Sequence, residues 1–185
     1  LFSFQESVEP IHRQLVNLLL EEQNPSQTAM REALSAIESL QVEEINHYLR
    51  AACLEAQVAP AADIPTSDSS AVIYPVILEN RLATIVRFPR PASADTSLKE
   101  QTDSGETLEF YEAAIRPDEL KALVDSVIVM TNLGDYDVFD ASQQLYNLLL
   151  PPALRAHLQR NQTETLVFVL DSFLRNLSMA TLYDG

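Results

Sequence analysis

The stretch AVIYPVILENRLATIVRFP, residues 71–89, constrains the fold of this chain more than any other. Two β-rich apolar runs flank a short polar break at Glu79-Asn80, which predicts an antiparallel hairpin. AVIYPVIL is continuous rather than alternating. Pro75 has no N–H for a strand ladder, so it predicts an edge position or a bulge for the first strand. TLEFYEAAI, from Thr107 to Ile115, supplies a third strand and makes an antiparallel meander. A further apolar run, TLVFVLD from Thr165, reads as a strand buried on both faces.

Around these strands the periodicity is helical. Ile11, Leu15, Leu18 and Leu19 repeat at helical spacing, with Pro10 tolerable in a first turn. Asn24-Pro25-Ser26-Gln27 offers a helix start with Asn capping, Pro in the first turn and Gln placed for a capping box. Met30, Ala33, Leu34, Ile37 and Leu40 then form one stripe, and a third helix carries Val42, Ile45, Leu49, Ala52 and Cys53. Residues 58–70, VAPAADIPTSDSS, have no periodicity and read as a linker. Residues 89–106 are polar and turn-rich, a flexible loop within the sheet. Pro117-Asp118-Glu119 opens a helix whose buried face is Leu120, Leu123, Val124, Val127 and Ile128. Another helix covers roughly 140–150, and after Pro151-Pro152 a short helical piece reaches about Arg160. The expected class is α+β to mixed α/β: N-terminal helices over 1–57, the linker, then a β-meander, two further helices and a C-terminal core strand over 71–185.

A chain of 185 residues suits one domain with a helical appendage, and 46% hydrophobic residues with 21% charged ones is ordinary for a globular protein. No run approaches the ~20 apolar residues of a membrane span, and no signal segment opens the sequence, so a cytoplasmic setting is expected and a membrane partner is not. The formal charge of −15 disfavours nucleic acid, whose phosphates need a basic patch. The one cysteine cannot close an internal disulfide, which fits a reducing compartment.

Candidate chemistry is sparse. Cys53 sits on the apolar side of a predicted helix, where a thiol acts as a small hydrophobe rather than a nucleophile. His12, His47 and His157 are mid-helix and form no metal-spaced pair, so surface or half-buried positions are expected. Asp135, Asp137 and Asp140 lack the further ligands and closing Glu of a calcium loop and read as a solvated turn. Only Gly105, Gly134 and Gly185 are present, too few for a phosphate-cradling loop. Arg175 follows the last strand, where α/β ligand sites form, but an exposed structural role is the simpler reading. No catalytic, cofactor-binding or metal-ligating residue is assigned, and no cofactor is expected.

The ending TLVFVLDSFLRNLSMATLYDG resembles the opening of the CHAT domain, a caspase-like domain that follows tetratricopeptide repeats in bacterial, notably cyanobacterial, proteins. That family reads a buried strand, a small Gly or Ser turn, then Leu-Arg-x-Leu-Pro-Met-x-x-Leu-Tyr-Asp-Gly. ESVEPIHRQLVNLLL, AIESLQVEEINHYLRAACLEAQ, AVIYPVILENRL and SQQLYNLLL also look like the segment joining the repeats to the CHAT core. The resemblance implies an N-terminal part of a CHAT domain over 71–185, an incomplete caspase-like domain. It also implies a relation to caspases and separase, cysteine peptidases with a His-Cys dyad. The family's His precedes a Gly, whereas the three here precede Arg13, Tyr48 and Leu158. Its Cys follows Leu-Ser-Ala, whereas Cys53 follows Arg50-Ala51-Ala52. The dyad is therefore expected after Gly185. Three departures stand out: Ser172-Phe173 in the small turn, Ser178 in place of Pro, and a long 89–106 loop.

The implied role is a non-catalytic N-terminal portion that couples upstream repeats to a downstream protease-like lobe. Its partner would be the remainder of the CHAT polypeptide or another protein. The alternative is a stand-alone interaction or scaffold module without proteolysis, and a third reading is a cleavage product that stays paired with its other half. Alone, this segment is expected to self-associate through an unpaired strand edge.

Overall fold

A computed structural model describes residues 9–50, 69–89 and 107–185, with the side chains of 46–50 outside the description. The chain divides into two units, residues 1–65 and 66–185. In the first, α1 (Glu9–Leu19) packs on α2 (Gln27–Arg50). Helix α2 buries Met30, Ala33, Ile37 and Leu40, the expected stripe. It starts differently from expectation. Ser26 is the cap, its Oγ accepting from the Ala29 N–H at 3.1 Å, so Asn24 and Pro25 lie before the helix.

Two expectations about this unit are corrected. The buried face of α1 and its following turn is Val16 and Leu20, while Ile11 and Leu18 are each 67% exposed. Helical spacing fits both sets, and packing against α2 selects the one that also brings His12 Nδ1 to 3.2 Å from the Ala36 carbonyl. Second, α2 runs unbroken through 40–42 instead of ending there. Gln41 is a good helix former, and neither Gly nor Pro interrupts that stretch. Cys53 and most of the 58–70 linker and of the 89–106 loop fall outside the described residues, and Ser70, expected in the linker, begins the first strand.

The second unit holds β1 (Ser70–Ile77), β2 (Leu82–Phe88), β3 (Thr107–Ala113), α3 (Pro117–Leu133), α4 (Val138–Leu149), α5 (Pro152–Arg160) and β4 (Thr165–Phe168). Two 3-10 turns follow, Ser172–Asn176 and Met179–Thr181. The fold of this unit is α+β, with a mixed four-stranded sheet in the order β3-β2-β1-β4. The first three strands form the expected antiparallel meander, and β4 joins β1 in parallel. Leu78 N–H to the Arg81 carbonyl, 3.0 Å, closes the turn at Glu79-Asn80.

Every residue of β1 and β2 is buried. Ile77 and Leu82 pack with Leu120, Val124 and Val127 of α3 and Leu145 and Leu149 of α4. Ala71, Ile73, Val86 and Phe88 pack with Leu154 and Leu158 of α5. The strand predicted to be buried on both faces is the less enclosed one: Leu166 is 37% exposed, and Val167 to Leu170 are only half-buried. An apolar run reports what a strand can bury, not how many neighbours reach it.

Helix α3 begins at Pro117, with the Glu119 carboxylate accepting from the Arg116 N–H at 3.3 Å. It ends at Gly134, whose φ of 67° is the left-handed conformation that glycine adopts without strain. Among the described residues, no helix is long and apolar enough to cross a membrane.

Candidate functional site

Pro75 lies in an interior strand, paired with Thr84, so neither the edge nor the bulge expected for it is found. Strand alternation explains why a proline fits there. The carbonyls of Ser69 and Ile73 accept from Thr165 and Val169 of the β4 segment at 3.2 and 2.9 Å. Odd-numbered residues of β1 therefore direct their main-chain groups towards β4, and even-numbered ones towards β2. Pro75 is odd, so its missing N–H leaves the β1–β2 ladder intact and ends the parallel ladder instead.

The next odd residue has a donor, and a side chain takes it. Ile77 N–H bonds to Asp171 Oδ2 at 3.0 Å, and Asp171 is only 3% exposed. A buried strand N–H left without an acceptor would cost stability, and a carboxylate is a strong acceptor for it. Asp171 thus finishes the strand edge that β4 leaves. The chain then turns away at Ser172, where φ is +47°. That region favours glycine, so Ser172 holds a strained backbone there.

Phe173 and Ser178, the other departures in this stretch, are both accommodated. Phe173 packs against the core cluster of Ile77, Leu82 and Leu174. Ser178 has φ of −79°, within the range that a proline would impose, and its carbonyl accepts from the Thr181 hydroxyl at 2.7 Å. Arg175 is exposed, and its Nε donates to the Leu170 carbonyl at 3.1 Å, bracing the turn.

The same alternation gives β4 an open side. Thr165, Val167 and Val169 face β1, which leaves the main-chain groups of Leu166 and Phe168 directed outward. No strand among the described residues pairs with them.

A second polar cluster lies at the opposite side of the sheet. His157 of α5 stacks on Phe88, centroids 4.6 Å apart, and its Nδ1 is 3.1 Å from the Tyr111 hydroxyl. Glu109 Oε1 is 4.0 Å from the same nitrogen. Burial, and then the Glu109 charge, push the Tyr111 phenol above its usual pKa, with Arg160 opposing. A cleft of ≈ 230 Å³ opens here, lined by Thr107, Asn161 and Thr163 as well as Phe88, Glu109 and His157. Sequence reasoning expected a surface or half-buried position for His157 and gave no sign of this cluster, because its partners lie 46 to 69 residues away.

His12 sits on α1 within the other unit, and the side chains of His47 and Cys53 lie outside the described residues. Asp135 and Asp137 occupy the turn between α3 and α4, where Asp135 Oδ1 accepts from the Asp137 N–H at 3.0 Å, and Asp140 lies in the first turn of α4. Among the described residues, no group of three or more His, Cys, Asp or Glu side chains is placed to hold a metal.

No curated protein and no solved structure matches this chain. The family model of the CHAT domain does match, over residues 140–185, from α4 through β4, Asp171 and both 3-10 turns. The C-terminal part of this chain, with the open strand edge and its carboxylate stop, is therefore similar to the CHAT domain.

Proposed function

We propose that this chain is the non-catalytic N-terminal portion of a CHAT protein, related to the caspase and separase cysteine peptidases. In this reading it works in the cytoplasm and couples upstream tetratricopeptide repeats to a protease-like lobe downstream. The observation that carries the reading is the outer edge of β4. Within the segment similar to the CHAT domain, an apolar strand parallel to β1 directs the main-chain groups of Leu166 and Phe168 to a side where no strand pairs among the described residues. An edge of this kind recruits another strand, and the remainder of the CHAT polypeptide is the partner that the family resemblance supplies.

Coupling then has a physical form. A partner on the repeats can shift the protease-like lobe only if its two states contact this segment differently, and the β4 seam is where such a difference would be felt. The full-length protein carrying Leu166→Pro tests this. The substitution removes an outward N–H while the β1–β4 bonds through Thr165, Val167 and Val169 remain. Partner-stimulated proteolysis is expected to fall to background while far-ultraviolet circular dichroism stays native. Unchanged stimulation contradicts the coupling. A wild-type protein without any proteolysis contradicts the peptidase relation and favours the stand-alone scaffold.

A further inference from the structure

The outer side of β4 carries a stop of its own. Val169 N–H donates to the Ile73 carbonyl at 2.9 Å, and Asp171 is still extended, with φ of −96° and ψ of 142°. Leu170 lies between them, so alternation turns its main-chain groups outward, in line with those of Leu166 and Phe168. Among the described residues no strand reaches the carbonyls of Leu166 and Phe168. The Leu170 carbonyl, by contrast, is taken. Arg175 Nε donates to it at 3.1 Å, from a 3-10 turn only five residues further on.

One short stretch thus finishes two different edges. Asp171 supplies the acceptor for the Ile77 N–H, where β1 and β4 part. Arg175 supplies a donor on the side where a further strand would lie. A guanidinium bonded to an edge carbonyl removes that acceptor from an incoming strand, and its charge and bulk discourage pairing beyond it. We infer that Arg175 sets where the β4 seam ends: a strand recruited by β4 pairs through Leu166 and Phe168 and is halted before Leu170.

This rests on the reading of β4 as a recruiting edge and adds what that edge selects. Two outward residues lie about 7 Å apart along a strand, so the partner segment is short, about four extended residues. Phe168 packs against the cluster of Ile73, Leu154 and Leu158, so an apolar partner side chain beside it continues that core. Register follows as well. A slip of one residue is opposed by alternation, because it turns apolar side chains to the wrong face. A slip of two residues towards the 3-10 turn keeps the faces, and it is the one that must displace the guanidinium from Leu170.

The test is residue-resolved amide exchange in a polypeptide that continues through the whole CHAT domain, as wild type, Arg175→Met and Arg175→Lys. In wild type, Leu166 and Phe168 should gain at least about tenfold protection over the isolated chain, and Leu170 less than about twofold. Arg175→Met frees the carbonyl, so Leu170 should then gain about tenfold as well. Arg175→Lys keeps a donor and should restore the wild-type pattern. A residue that only braced its turn would leave Leu170 unprotected in all three. In the isolated chain, Arg175→Met should tighten self-association by roughly two- to tenfold, the effect of one added hydrogen bond. That gain should vanish when Leu166→Lys is also present. Leu170 protected in wild type as fully as Phe168, no gain at Leu170 in Arg175→Met, or tightening that survives Leu166→Lys overturns the stop and leaves the recruiting edge standing. The wild-type profile alone can do so, even if Arg175→Met fails to fold. No gain at Leu166 and Phe168 in the longer wild-type polypeptide is a different failure, that of the recruiting edge itself, and it overturns both.

Discussion

Of the two outer strands of the sheet, β3 carries Glu109 and Glu112 within TLEFYEA, whereas β4 reads TLVF and continues into Val169-Leu170 without a charge. Of the two, only β3 has the charged residues by which proteins discourage further pairing. Its polar side chains are also used locally, Glu112 with Arg81 at 3.0 Å and Tyr111 with His157 at 3.1 Å. Strand β4 is finished at its carboxyl end by Asp171, and among the described residues no strand pairs with its outer side. One edge carries charge along its strand, and the other carries none. That asymmetry underlies the functional proposal.

The largest expected effect compares a carboxylate at each edge. Asp171→Ala strips a buried N–H of its acceptor and should cost about 2–3 kcal/mol. Glu112→Ala breaks a partly exposed pair and should cost no more than about 1 kcal/mol. Urea unfolding measures both, and equal losses would erase the distinction between the edges. Next, the isolated chain should self-associate through β4. Leu166→Lys should weaken that association on the order of tenfold in sedimentation equilibrium, while Glu109→Lys on β3 leaves it unchanged. A wild-type chain that stays monomeric at high concentration contradicts an adhesive β4.

Smaller effects sharpen the same contrast. Ser172→Gly relieves the left-handed backbone beyond β4 and should raise stability by about 0.5–1 kcal/mol. A loss of stability on thermal unfolding would mean that the serine is not strained. On the β3 side, Tyr111 has a raised folded pKa, so its contribution is complete below the unfolded value of about 10 and is lost as pH rises beyond it. Tyr111→Phe should lack that alkaline loss. A stability profile parallel to wild type above pH ~10 contradicts the assigned burial.

Sequence reading recovered what depends on a residue and its near neighbours. The meander, the turn at Glu79-Asn80, the start of α3 at Pro117 and the break after α4 at Pro151 all follow from local chemistry. It failed where a distant partner decides. Val16 and Leu20 rather than Ile11 and Leu18 face α2 because packing chose between two equally periodic stripes. Pro75 is admitted to an interior strand because β4 departs there, 94 residues from the Ile77 amide that Asp171 satisfies. The His157 cluster joins β2, β3 and α5, and no spacing along the chain announces it. The left-handed backbone at Ser172 was equally silent, since a serine gives no sign of a positive φ.

Residue-resolved amide hydrogen exchange across β4 reaches the central claim most directly. In this chain alone, Thr165, Val167 and Val169, bonded towards β1, should exchange slowly, and Leu166 and Phe168 should exchange fast. In a polypeptide that continues through the whole CHAT domain, Leu166 and Phe168 should become protected as well. Equal protection of all five amides in the isolated chain, or no gain at Leu166 and Phe168 in the longer polypeptide, would contradict an open edge awaiting its partner strand.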